Sequence, residues 1–351
     1  MLWVDKHRPL TLAKMDYHHE LSARLTALAR ASDLPHLLVY GANGAGKKTR
    51  IAALLREIFG VGVEKAKTEH KSVSLPNRSD KLEIVCLVSN YHIELTPADA
   101  GYHDRVIVQE VIKEIAQSRP VDASKHQFKV VVMHDVDRLS RGAQHALRRT
   151  MERYMATCRL ILCCNSTGKV IDALHSRCLL LRVPAPTPAE LTGVLVSIAT
   201  KEGLVGLSPE LAELIALSSD RNARRAILML EAMKARHSPL LPGMQSELAD
   251  WQKHIATIAS DIMREQSPNQ LMSVRGKLYE LLGHCVPPSM LLRELCDSLL
   301  SKCDASLAPV IVEHASAYER RLGDGSKAII HIEAFVARFM SLYKHFLLSS
   351  M

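Results

Sequence analysis

The chain has 351 residues, of which 47% are hydrophobic, 23% charged and only 4% aromatic, and its formal net charge is +8. Such a length can bury cores for two or three domains, and the basic surplus favours a polyanionic partner. No apolar run reaches membrane-spanning length and no basic start leads into an apolar core, so neither a membrane association nor a secretory leader is expected. Eight cysteines, at 86, 158, 163, 164, 178, 285, 296 and 303, form no C-x-x-C pair. They predict reduced core thiols rather than a metal site.

In chain order, Leu37-Leu38-Val39-Tyr40 reads as a buried strand and Ile51 to Ile58 as a helix. Between them lies Gly41-Ala42-Asn43-Gly44-Ala45-Gly46-Lys47-Lys48-Thr49, a phosphate-binding loop. Its glycines let backbone N–H groups close around phosphate oxygens, and the helix N-terminus adds a favourable dipole. Lys47 stands where the β- and γ-phosphates are contacted. The next position calls for a Ser or Thr hydroxyl on Mg²⁺. Lys48 occupies it, and Thr49 lies a further ~100° around the helix. The loop therefore binds nucleotide but is poorly equipped to hydrolyse it.

Val130-Val131-Val132-Met133 reads as a second buried strand, ending in His134-Asp135-Val136-Asp137. A P-loop ATPase ends this strand with an Asp for the metal, often followed by a Glu that positions water. His134 is a poor ligand for hard Mg²⁺, and Asp135 is one methylene shorter than Glu. Asp135 can act as a base; alternatively Asp135 and Asp137 cap a helix starting near Leu139. Further strands are expected at 83–88, 159–164 and 179–183, which with the helical stretches between them give the rhythm of a parallel sheet covered on both faces. Pro184-Ala185-Pro186-Thr187-Pro188 is a hinge, and 238–244, with two prolines and a glycine, a second boundary. Beyond each, the periodicity is helical; Leu271, Val274, Leu278, Leu281 and Leu282 mark one buried face.

Four more segments carry a family resemblance. Leu2-Trp3-Val4-Asp5-Lys6-His7-Arg8-Pro9 is similar to the N-terminal box of replication factor C small subunits. Ala143 to Glu152 resembles their basic helix, Leu160 to Thr167 their sensor-one strand, and Ser176-Arg177-Cys178 their S-R-C signature. The Gly-Lys-Lys-Thr ending and the missing metal Asp resemble one paralogue in particular. The resemblance implies an α/β AAA+ P-loop nucleotide domain with a parallel sheet (1–185), a helical lid (186–240) and an all-helical collar (241–351). It implies a nuclear, five-membered clamp loader that uses ATP to seat the sliding clamp PCNA on primer–template DNA.

Carried over by position, Val4, Arg8 and Pro9 border the adenine of ATP or ADP. Gly41, Gly44, Gly46, Lys47, Lys48 and Thr49 surround the phosphates. Asn165 senses the γ-phosphate and Arg224 reaches in from the lid. Alone, Asn165 also reads as a turn cap and Arg224 as a solvated helix residue. The metal Asp falls on His134 and the catalytic Glu on Asp135, so Mg²⁺ is poorly provided for. Arg177 is an arginine finger for a neighbouring subunit in the S-R-C context, and a surface charge out of it. Arg105, Lys113 and Arg148 are candidate contacts to DNA phosphates, on basic helix faces that otherwise are simply solvated. A DNA-stimulated ATPase or helicase, or a remodelling adaptor outside replication, are the competing functions.

Overall fold

The computed structural model describes residues 1–31, 33–74, 81–117, 128–155, 157–204, 206–237, 249–325 and 327–350. The chain divides into two compact units, Met1–Ser246 and Glu247–Met351. The boundary expected at 238–244 lies outside the described residues.

In the first unit, seven strands form one sheet: β1 (Leu37–Tyr40), β2 (Lys67–Ser74), β3 (Lys81–Val88), β4 (His92–Leu95), β5 (Lys129–Met133), β6 (Cys158–Cys164) and β7 (Leu179–Arg182). Their spatial order is β2-β3-β4-β5-β6-β1-β7. Strands β4, β5, β6, β1 and β7 are mutually parallel. The sheet as a whole is mixed, however, and this corrects the parallel sheet expected from sequence. β3, which contains 83–88, runs antiparallel to both β2 and β4. The reason is local. β2 and β3 pair over their whole lengths, from Lys67 against Val88 to Ser74 against Lys81, and antiparallel pairing needs no crossover helix.

Alternation along the strands supplies two cores. Leu37, Val39, Val130, Val132, Ile161 and Cys163 pack with Leu25 of α2 (His19–Arg30) and with Ile51, Leu54 and Leu55 of α3 (Lys47–Phe59). Their neighbours Leu38, Val131, Met133, Leu160 and Leu162 face the opposite way. There they meet Ile107, Val111 and Ile112 of α4 (Asp104–Gln117) and Leu147 and Met151 of α5 (Arg141–Arg153). The helix expected near Leu139 starts at Arg141. Its N-cap is Ser140, whose Oγ accepts from Ala143 N, while the Asp104 carboxylate accepts from Ser140 N at 2.6 Å and Ser140 Oγ at 2.9 Å. Neither Asp135 nor Asp137 caps it.

After the short α6 (Asp172–His175) and β7, Thr187 opens α7 (Pro188–Lys201) with a reciprocal capping box to Glu190. Ser208 and Asn222 cap α8 (Pro209–Ser218) and α9 (Ala223–Arg236) with side chains that accept from Leu211 N and Arg225 N, without the reciprocal bond. The three helices bury Leu191, Leu195, Ile198, Leu211, Ile215 and Leu230 around Trp3, which sits on a single N-terminal turn, Trp3–Lys6. Among the described residues the second unit holds five α-helices, Asp250–Arg264, Pro268–Gly283, Pro288–Leu300, Ala308–Asp324 and Ala328–Ser350. Its core includes Ile258, Val274, Leu278, Leu295, Ile332 and Phe335. No helix among the described residues is long and apolar enough to cross a membrane.

Candidate functional site

The loop from Gly41 to Gly46 joins β1 to α3, whose first turn carries Lys47, Lys48 and Thr49, at the carboxyl ends of the parallel strands. Gly41 passes so close to the Val183 backbone that a Cβ there would overlap the Val183 carbonyl. Gly46, at φ +85°, is the residue before α3 and takes the left-handed conformation that glycine adopts freely. Lys47 is 8% exposed, and its ammonium donates to Gly41 O at 2.8 Å, Ala42 O at 2.9 Å and Asn165 Oδ1 at 2.8 Å. Burial pushes its pKa below the usual lysine value. Lys47 and Asn165, 118 positions apart in sequence, thus meet beside the loop. Asn165 caps no turn. Its own N–H and that of Ser166 are held instead by Asp137 Oδ2, at 3.1 and 3.3 Å.

A cavity of about 620 Å³ opens over this loop. Val4, Arg8, Pro9, Gly44, Gly46, Lys47, Lys48, Thr49, Asp135, Asn165 and Arg224 all line it; Gly41 contributes its carbonyl to Lys47 instead. Arg8 Nε donates to Thr49 Oγ1 at 3.2 Å, so Thr49 serves the N-terminal segment. That segment is pinned to the three-helix cap: Lys6 and His7 both reach Glu202 Oε1, at 2.6 and 2.5 Å. Apolar walls come from Met15, Val194, Ile198, Ile227 and Leu228, as a base-binding end requires. Cys163 also lines the cavity, but burial pushes its thiol up to about 11 and removes it as a nucleophile.

Two further groups at this end were not anticipated. Tyr17 OH donates to Ala45 O at 3.2 Å, and Arg50 Nη2 donates to Tyr17 O at 2.8 Å with its guanidinium 5.1 Å from the Tyr17 ring. Arg50 follows the motif directly, but nothing in the spacing marks a buried arginine.

At the metal position the structure sharpens the sequence reading. His134, 5% exposed, places Nε2 3.1 Å from Glu94 Oε2, and His92 Nε2 lies 3.5 Å from Glu94 Oε1. Burial alone would raise the Glu94 carboxyl. Hydrogen bonds from His134 and His92 outweigh it and hold the group well below the ordinary carboxylate range. Glu94, the acid beside His134, is therefore already satisfied by two imidazoles. Asp135 takes a left-handed backbone, φ +53°, with its carboxylate 3.9 Å from Arg138. The residues fit a nucleotide. They do not fit Mg²⁺, which needs a hydroxyl where Lys48 stands and a free carboxylate where His134 stands. Among the described residues no cluster of three or more His, Cys, Asp or Glu could hold a metal ion.

Arg177 lies outside the cavity, on the turn between α6 and β7. Its guanidinium is ion-paired to Glu152 at 2.6 Å, and the side chain is 36% exposed. Arg105 and Lys113 are exposed on α4, Lys113 3.9 Å from Glu110. Arg148 is half-buried, its Nε shut off from solvent. Of the eight cysteines, all free, five are buried and two half-buried. Cys285 is exposed, a departure from the expected core position, on a left-handed residue after Gly283.

A strand–loop–helix phosphate site under a helical cap defines a P-loop nucleotide-binding module of the AAA+ class. Residues 193–235 match an RCF1/5-like AAA+ ATPase lid domain, and residues 251–347 match the C-terminal domain of replication factor C subunit 3. Residues 17–187 match the family described as DNA polymerase III, delta subunit. A Thermotoga maritima RuvB mutant shares the fold, with TM-score 0.50, 16% identity and coverage of 84% of this chain and 90% of its own. Replication factor C subunit 3 of Bos taurus is 50% identical over 347 residues, 99% of this chain and 97% of that protein. The subunit 3 of Arabidopsis thaliana is 49% identical over 100% of this chain and 99% of its own. Subunit 5 of Schizosaccharomyces pombe is 48% identical over 98% and 97%. The chain belongs to the replication factor C family, to the branch whose members are numbered subunit 3 or 5.

Proposed function

We propose that this clamp-loader subunit holds ATP or ADP as a structural ligand, scarcely hydrolyses it, and completes the ATPase site of a neighbouring subunit with Arg177. One observation carries the reading: Lys47, Asn165 and the cavity are intact, while Lys48 and the His134–Glu94 pair stand at both metal positions. Arg177 supports the second half, because its position on the turn before β7 sets it outside its own cavity. A guanidinium delivered to a neighbour's γ-phosphate can contribute ~10³–10⁵ in rate.

In this reading the subunit works in the nucleus within a hetero-pentamer of replication factor C subunits that loads PCNA onto primer–template DNA. Residues 1–185 form the nucleotide domain, 186–240 the lid and 241–351 the collar that joins the subunits. Arg105, Lys113 and Arg148 contact DNA phosphates. Equilibrium titration and steady-state turnover of the isolated chain test the first half. Micromolar binding with negligible turnover is expected, and turnover of about 1 s⁻¹ or faster, within the ordinary enzyme range, overturns it. For the second half, Arg177→Ala should leave this chain's own affinity for nucleotide unchanged. The DNA- and clamp-stimulated ATPase of the reconstituted, size-verified complex should fall. Undiminished activity of that complex returns Arg177 to a surface charge.

A further inference from the structure

We propose that Glu152 is the positioning residue that presents the Arg177 guanidinium to the neighbouring subunit, an inference that rests on Arg177 acting in trans. Arg177 Nε donates to Glu152 Oε1 at 2.9 Å, and Nη2 lies 2.6 Å from the same oxygen. On its other side, Nη1 donates to Ala173 O at 2.9 Å and to Ser176 Oγ at 3.2 Å. Ala173 sits in the single turn of α6, whose carbonyls have few helical partners of their own. The guanidinium is thereby stretched between the last turn of α5 and the end of α6, with every nitrogen engaged. Of its five N–H groups, four are spent within the chain, and one on Nη2 is left for a phosphate oxygen.

The pair is half-exposed, with side-chain exposures of 36% for Arg177 and 52% for Glu152. An ion pair in such a place adds little to the stability of the fold. Its effect is on the geometry of the arginine. A long side chain with free torsions must be ordered when it meets the phosphate, and an arginine already fixed in its rotamer loses less freedom at that moment. Glu152 touches no substrate; it acts through Arg177 alone. That dependence separates positioning from a structural role. An alanine at a merely structural position would lower activity whether or not the finger is present, whereas an alanine at a positioning residue changes nothing once the finger is gone.

The experiment compares complexes reconstituted with Glu152→Ala, Glu152→Gln, Arg177→Ala and the double replacement, each checked for assembly by size. Glu152→Ala should lose most of the share of DNA- and clamp-stimulated turnover that Arg177→Ala loses. The loss should lie in kcat, with KM for ATP unchanged. Glu152→Gln, which keeps an acceptor oxygen, should recover much of it, and the double variant should be no worse than Arg177→Ala. Parental turnover in the Glu152→Ala complex, with Arg177→Ala still defective, overturns the role of Glu152 and leaves the finger standing. An equal further loss from Glu152→Ala in the Arg177→Ala background also overturns it, as a structural effect. Undiminished turnover with Arg177→Ala removes the finger and Glu152 together.

Discussion

His134→Asp restores the carboxylate expected at the metal position, and the structure says what that restoration costs. In the parent, Glu94 accepts from His134 at 3.1 Å and lies 3.5 Å from His92. The shorter acid would place a second negative charge about 5 Å from Glu94, with the surroundings mostly out of water. At an effective dielectric of about 20 the repulsion is about 3 kcal/mol. Loss of the His134–Glu94 hydrogen bond adds about 1 kcal/mol. For a unit of this size each kcal/mol lowers the melting temperature by about 2–4 °C, so the first transition of the intact chain should fall by about 10 °C at pH 7.

The pH dependence carries the same signature. In the parent, the lowered Glu94 pKa contributes stability above the unfolded carboxylate value of about 4.3, and this is lost only as pH falls through the lower folded value. In the variant the folded pKa of Glu94 is raised, so the penalty is present at neutrality and fades as pH drops toward about 4.3. The gap between the two melting curves should narrow on acidification. Adding Lys48→Thr supplies the missing hydroxyl, and Mg²⁺ should then raise the melting temperature of the double variant but not of the parent. Calorimetry or near-ultraviolet circular dichroism reads all three effects. If His134→Asp melts within about 2 °C of the parent at pH 7, Glu94 does not close the metal position as argued.

Lys47→Met should weaken nucleotide binding by about 10–10²-fold, the effect of losing hydrogen bonds to a charged group, while the chain still folds; fluorescent-nucleotide titration checks it. Phe335→Ala, at a site with 0% exposure in the second unit, should destabilise that unit by about 3–5 kcal/mol, seen as early loss of amide protection confined to 250–350. Iodoacetamide at pH 8 should label exposed Cys285 and spare Cys163, whose thiol burial holds at about 11; peptide mass mapping reads both.

The phosphate loop was legible because its chemistry is local. Gly41, Gly46 and Lys47 lie within a single stretch of seven residues, and a loop between an apolar run and a helix leaves few alternatives. The parallel strands were legible for the same reason, since Val130 to Met133 is apolar on both faces. β2 was not. Lys67-Thr68-Glu69-His70-Lys71-Ser72 carries the polarity of a loop, and only pairing along β3 makes it an edge strand, where charged side chains are tolerated and protective. β4 was missed through its length and its His-Ile-Glu-Leu alternation, and with it went Glu94, the residue that explains His134. The pairing of Arg177 with Glu152 was equally invisible, because 25 residues separate them and either alone reads as solvated.

Loss of the metal positions and retention of the cavity belong together physically. The residues around the cavity come from two parts of the first unit, the sheet with its loop and the three-helix cap, and they meet at a few points. A Cβ on Gly44 would overlap Asn222, the cap of α9, and α9 carries Arg224 into the cavity. Trp3 is buried among the cap helices, while Val4 and Arg8, a few residues on, line the cavity beside the loop. A nucleotide spanning both parts favours their closed arrangement by its differential affinity for it, and by no more. In a subunit that hydrolyses, that free energy changes when the γ-phosphate leaves. If Lys48 and His134 prevent hydrolysis, as proposed above, it stays constant through the cycle of the assembly. The proposed role of Arg177 in trans would gain from that constancy, since Arg177 and Glu152 are held by the same sheet and helices that carry the loop.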